Sequence, residues 1–252
     1  MGRKPILSFL LATSILFGLA SCKKSTSTTE NTPEPVVPVT SPPSTTAPVF
    51  TGPSTTAANL TIRVIYLVPS DRKLNQAYTD AVGVSSSRLA TWYKSALGGN
   101  KTFHLNTKIT ETIQSTHAAA WFNANNGNSG TDAQFYFYTN ARNDVRAILG
   151  SGYDESKYIY MVYVDAAGTT GAGAIGFTAM PENDLLGLTN QMPQPWARWV
   201  GGAGHEIGHA FGLPHPANQD PNALMWTGYT LYPNCILNDS DKATLNANKF
   251  FY

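Results

Sequence analysis

The run His205-Glu206-Ile207-Gly208-His209-Ala210-Phe211-Gly212-Leu213-Pro214-His215 constrains this chain more than any other stretch. At roughly 100° per residue, His205 and His209 fall about 40° apart on one helical face, so their imidazoles can grip a single ion. Glu206 lies about 60° from His209 on the same cylinder, beside that ion. Gly212 then stops the helix, because a residue without Cβ accepts the left-handed conformation that helix ends often need. Pro214 prevents the helix from resuming, and His215 can return towards the ion from another direction. On the opposite arc stand Trp196, Trp199, Val200, Ala203, Ile207 and Phe211. A helix with an apolar back and a ligand-bearing front belongs between a core and a cleft. Three neutral imidazoles at ~2.0–2.1 Å leave a fourth zinc position open, which is the arrangement of a catalytic site and not of a closed structural one.

The rest of the chain supplies elements for a sheet around that helix. Leu60 to Val68 is β-branched and stops at Pro69, a strand. Apolar positions recur at helical spacing from Leu74 to Leu97, with Gly98-Gly99 as the stop. Thr102 to Ile113 alternates and reads as a second strand. A helix is expected within Asp132 to Leu149, with Thr131 or Asp132 as cap, although the run Phe135 to Tyr138 suits helix or strand. Tyr158 to Val164 is a continuous apolar run, expected at a central position. Asp165 at its end fits a turn better than a site. His104 and His117 have no ligand-spaced neighbour and read as surface or hydrogen-bonded histidines. A short terminal helix is expected from about Asp239 or Ser240 to Asn248.

The eleven-residue string matches H-E-x-x-H-x-x-G-x-x-H, and on it the chain resembles the metzincin zinc endopeptidases. Met225, within Ala223-Leu224-Met225-Trp226, stands where that family has its methionine turn. Pro216, after the third histidine, looks more like the serralysin type than the astacin or reprolysin types. The calcium-binding glycine-aspartate repeats of serralysins are absent, so no branch is assigned. The resemblance implies an α/β, zincin-like three-layer αβα domain. Its sheet would be twisted, mixed and mostly parallel, with a long active-site helix and a small C-terminal subdomain. It implies Zn2+ held by His205, His209 and His215, with Glu206 as general base. It also implies an edge strand along the cleft in the stretch Gly171 to Met180, with Ala174, Ile175, Gly176 and Phe177 as substrate-facing candidates. An open strand edge accepts an extended peptide through backbone hydrogen bonds. Some metzincins place an oxyanion-stabilising tyrosine two residues after the methionine. Thr227 occupies that position here, leaving Tyr229 and Tyr232 as substitutes.

Residues 1–21 read as a signal peptide: a basic start, an apolar stretch from Ile6 to Leu19, then Leu19-Ala20-Ser21-Cys22. That ending resembles a bacterial lipobox, which implies cleavage before Cys22 and lipidation of its thiol. The expected place is then the cell envelope, at an outer membrane or the cell surface. Residues 22–58, rich in Ser, Thr and Pro, read as a disordered tether, with the catalytic domain at 59–252. With Cys22 lipidated, Cys235 has no disulfide partner and the domain depends on its core. The charge, 17 Lys and Arg against 16 Asp and Glu, offers no footprint for nucleic acid. The chain is expected to be a monomer whose partners are a protein or peptide substrate and a membrane. The alternative is a non-catalytic, zinc-bearing surface module that captures peptides or glycoproteins. A third reading is a zinc hydrolase acting on something other than peptide bonds. An intact Glu206 argues against the capture module, which has no need of a base.

Overall fold

The structure, a computed structural model, describes residues 47–168 and 170–252. The signal segment, Cys22 and the tether up to residue 46 lie outside the described residues. Five strands form one sheet in the order β2-β1-β3-β5-β4. They are β1 (Thr61–Val68), β2 (His104–Gln114), β3 (Tyr158–Val164), β4 (Ala172–Ala174) and β5 (Phe177–Met180). Neighbours are parallel through β2, β1, β3 and β5, and only the edge strand β4 runs antiparallel. The helices are α1 (Gln76–Ala96), α2 (Tyr136–Leu149), α3 (Glu182–Leu188), α4 (Trp196–Ala210) and α5 (Asp239–Ala247).

Alternation along the central strands builds two cores. Ile62, Val64 and Tyr66 of β1, with Ile159, Met161 and Tyr163 of β3, face one side. There they pack against Val82, Leu89 and Tyr93 of α1 and Val200, Ala203 and Ile207 of α4. Ile65 and Leu67, with Tyr160, Val162 and Val164, face the other side, where α2 supplies Phe137, Ala141 and Val145. The result is the expected mostly parallel αβα sandwich. Parallel strands buried on both faces need the unbroken apolar runs that β1 and β3 show.

Three differences from the sequence expectation have physical causes. First, ordered structure begins before residue 59. Thr51 N–H donates to Thr112 Oγ1 at 2.9 Å, Gly52 N–H to Thr112 O at 3.1 Å, and Ser54 N–H to Glu111 Oε2 at 2.6 Å. These bonds fasten the chain along the outer edge of β2. Glu111 is itself held by a buried bidentate pair with Arg63, at 2.8 and 2.5 Å. Second, residues 171–180 form a hairpin and not a single edge strand. Ala174 pairs with Phe177 across the turn Ile175-Gly176, where Gly176 has φ 85°. The helix near 132–149 starts later than expected: Asp132 caps a short 3₁₀ turn, and α2 follows it from Tyr136. At the C-terminus Asn238 caps α5, with Asp241 completing a capping box.

Candidate active site

The ligand-bearing face of α4 depends on how that helix packs and ends. Small residues on the buried side let neighbours approach closely: a Cβ on Gly204 would lie 2.8 Å from Leu89 Cδ2, and one on Gly208 would meet Met225 Sδ. The helix closes in a Schellman arrangement, with Gly212 at φ 95°. Gly212 N–H donates to His209 O at 2.9 Å, and Leu213 N–H to Gly208 O at 3.0 Å. That reversal returns the chain so that His215 faces the pair on the helix, as the offset of Gly212 predicts.

His205 and His209 donate from Nδ1 to the carbonyls of Leu224 and Leu213, each at 2.8 Å. A carbonyl only accepts, so Nδ1 carries the proton in both rings and each Nε2 presents a lone pair. Burial is the largest influence holding the His205 imidazole down, to about 4, and it lowers His209 as well. Both rings are therefore neutral near pH 7. The three Nε2 atoms of His205, His209 and His215 lie 3.1, 3.1 and 3.2 Å from one another. Lone pairs facing one another at that range repel unless a cation lies among them. His205, His209 and His215 would hold such an ion through three nitrogens, fewer than the four ligands of a closed structural zinc site. The residues fit a zinc ion, and they are the group of three or more His, Cys, Asp or Glu side chains found among the described residues with ligand atoms close enough to hold a metal.

Glu206 stands beside this triangle. The backbone amide of Gly173 in β4 faces its carboxylate and favours the charged form. Burial, then the nearby charge of Asp184, pushes the carboxyl up to about 7, against the lowering effect of that amide. β4 can lie this close to α4 only because residue 173 has no side chain: a Cβ there would run into the Glu206 backbone. The edge strand thus touches the candidate base directly.

A cavity of about 360 Å³ opens over the metal face. It is lined by Asn183, Asp184, Arg198, Trp226, Thr227 and Tyr229, together with His205, Glu206 and His215. Arg198 is stacked between the rings of Trp199 and Tyr229, at 4.5 and 5.1 Å. Asp184 in the first turn of α3 is 6% exposed. Its burial pushes the carboxyl up to about 7, with the Arg198 charge opposing.

The other candidates fall as follows. Met225 is fully buried and packs against Gly208, while the adjacent Leu224 carbonyl orients His205. Ala174 ends the edge strand β4, and Ile175, 75% exposed, forms the hairpin turn with Gly176. Phe177 belongs to the inner strand β5 and is fully buried, so its side chain faces core and not cleft. The edge facing the site is Ala172–Ala174. Tyr229 lines the cavity with its ring 5.4 Å from that of His205. Tyr232 is buried beside Trp92, ring centroids 6.1 Å apart, and does not line the cavity. Asp165 accepts a hydrogen bond from the Tyr66 hydroxyl at 2.8 Å and is likewise not among the lining residues. His104 stacks on Tyr252, and His117 pairs with Asp144 at 2.9 Å, so neither joins the triangle. Cys235 is buried, and burial pushes its thiol up to about 12.

Sequence reasoning missed Gly173, Asp184 and Arg198. Only the mixture of small and larger residues at 171–180 hinted at a close approach, and nothing local marks Asp184 as more than a residue in the first turn of a helix.

No protein-family model matches the chain, and no curated protein matches it in sequence. Its fold does match solved structures. OgpA from Akkermansia muciniphila superposes with a TM-score of 0.57 at 17% identity, covering 82% of this chain and 64% of that one. Catalytically inactive OgpA bound to an O-glycopeptide substrate, glycodrosocin, gives 0.55 at 16% identity with the same coverage. This chain therefore spans a little under two thirds of OgpA, and at such identity the two share an architecture: a mixed, mostly parallel αβα sandwich.

Proposed function

We propose that this protein is a zinc-dependent endopeptidase of the metzincin type, cutting extended protein or peptide substrates. The observation that carries the proposal is the convergence of three Nε2 atoms, two with their tautomers fixed by carbonyls, beside a carboxylate on the same helix. When bound, zinc would act as a Lewis acid, polarising a carbonyl and making a water molecule more acidic. Glu206 takes the proton from the attacking water and delivers it to the departing amine. Burial disfavours the charged form and so raises the basicity of this carboxylate, which favours its taking the proton. The Gly173 amide favours the ionised carboxylate, and the open edge of β4 offers backbone groups to an extended chain. Tyr229, at the cleft, is the tyrosine placed to donate to a developing oxyanion.

Met225 under Gly208, next to the carbonyl that orients His205, supports the metzincin assignment. O-glycopeptides belong among the substrates: a protein of the same fold binds one, and the cleft here pairs aromatic with polar side chains. The signal segment and Cys22 support a lipid-anchored place in the envelope of a bacterium. The decisive experiment is proteolysis of protein, peptide and O-glycopeptide pools by the full chain, before and after chelation and after zinc is restored. Activity lost on chelation and recovered with zinc is expected. Glu206→Ala should keep one zinc per chain and lose turnover by a factor of about 10²–10⁴. Zinc retention with intact substrate binding and no cutting by the wild type would favour the capture module.

A further inference from the structure

Asp184 is a buried carboxyl in the wall of the cleft, and it lacks the partners such a group ordinarily has. Buried carboxylates are paired or hydrogen-bonded. Its own backbone N–H is taken by Pro181 O at 2.9 Å, and Arg198 supplies the opposite charge that acts on the carboxyl. Among the described residues no side chain hydrogen-bonds or ion-pairs with the carboxylate. Its position is firmly held. Gly187, one turn along α3 and on the same face, lies flat against the Trp199 ring, so α3 and α4 meet there without slack. The carboxyl is thus fixed over the cavity, close enough to Glu206 for its charge to be felt there.

We propose that Asp184 is a specificity-determining residue: it accepts a hydrogen bond from an uncharged hydroxyl or carboxamide side chain on the substrate residue beside the scissile bond. The inference rests on the peptidase reading for its setting. An incoming donor supplies what the buried carboxyl lacks. A cationic side chain is disfavoured, because the Arg198 guanidinium and the cation expected at the histidine triangle share the cavity. An apolar side chain would seal the carboxyl from water with no donor, at the full desolvation cost. Asn183 beside it adds a second polar group for the same side chain.

The test measures recognition apart from cutting. Peptides carrying Ser, Thr, Asn or Gln, against Leu or Lys, at the varied position are titrated into the zinc-loaded full chain bearing Glu206→Gln. Binding is followed by tryptophan fluorescence, since Trp199 and Trp226 line the cleft. The same set is offered to the wild type for cleavage. At pH 8, where the carboxyl is mostly ionised, the hydroxyl and carboxamide peptides are expected to bind about tenfold or more tighter than the Leu and Lys peptides, the range for a hydrogen bond to a charged group. Asp184→Ala should flatten the difference to within about threefold, while Asp184→Asn, which still accepts through Oδ1, keeps part of it. Should Asp184→Ala fail to fold, Asp184→Leu, which branches at Cγ as aspartate does and accepts no hydrogen bond, takes its place. Tighter binding of Leu or Lys peptides, or an unchanged profile in the Ala and Leu variants, overturns the proposal. Discriminating binding without cleavage by the wild type counts against the peptidase reading and leaves the role of Asp184 standing.

Discussion

Gly173→Ala probes the tie between the edge strand and the candidate base. A Cβ on residue 173 would collide with the Glu206 carbonyl oxygen and stand 3.1 Å from its Cα. The obstacle is helical backbone, which cannot rotate aside as a side chain can. Ordinary contact returns only if β4 and α4 separate by about 1 Å, since protein interiors are packed without spare room. That separation withdraws Gly173 N–H from the Glu206 carboxylate and moves the strand edge away from the cleft. A misplacement of about 1 Å near the reacting centre costs about a hundredfold, equivalent to about 2.7 kcal/mol on the barrier. The metal triangle should survive, because its ligands and the Leu213 and Leu224 carbonyls lie on other segments. The variant is therefore expected to bind one zinc, to lose about 1–3 kcal/mol of stability through overpacking, and to show kcat/KM about a hundredfold lower. Zinc analysis, thermal melting and initial rates on one cleaved peptide measure all three. A Gly173→Ala protein with wild-type zinc and a rate within threefold of wild type would refute the argument that β4 positions Glu206.

Other expectations follow from the same geometry. Tyr229→Phe should lower kcat about tenfold or more with little change in KM, as removal of a donor to developing charge does, whereas Tyr232→Phe, away from the cavity, should leave kcat near wild type; steady-state kinetics separate the two. Glu111→Ala should cost about 3–5 kcal/mol in urea unfolding, because it leaves the Arg63 guanidinium, 2% exposed, without its carboxylate, while Arg63→Met with Glu111→Leu should recover most of that loss. For Asp184, whose folded pKa of about 7 exceeds the ordinary 3.8, the folded state holds more protons between those values. Stability therefore falls as pH rises through that window. Urea midpoints of the chelated protein at pH 5 and pH 8 should diverge more for wild type than for Asp184→Asn.

The histidine triangle was legible because its geometry is local. Offsets of four and six residues, one glycine and one proline decide where three imidazoles point, and no distant contact is needed to work that out. The two central strands were legible for a similar reason, as unbroken apolar runs. Gly173 and Asp184 were not, since each matters only through a neighbour brought in by the sheet: Glu206 for one, and the cavity wall for the other. The hairpin at 172–180 was read as one strand because Ala174-Ile175-Gly176 lacks a strong turn signature, and only the left-handed backbone at Gly176 shows the reversal. The segment from Thr51 to Ser54 reads as tether by composition. Its docking depends on Glu111, a charge inside an otherwise β-branched strand, which was the one available hint of a buried partner.

The two carbonyl props on His205 and His209 come from the chain beyond the helix. Props of this kind orient both rings as the chain folds, so less ordering entropy remains to be lost when a cation is captured. His215 differs: it is the solvent-facing member of the three. Swinging that single imidazole outward would open the coordination sphere while its companions stay in place, which makes it the natural gate for exchange between the centre and a chelator.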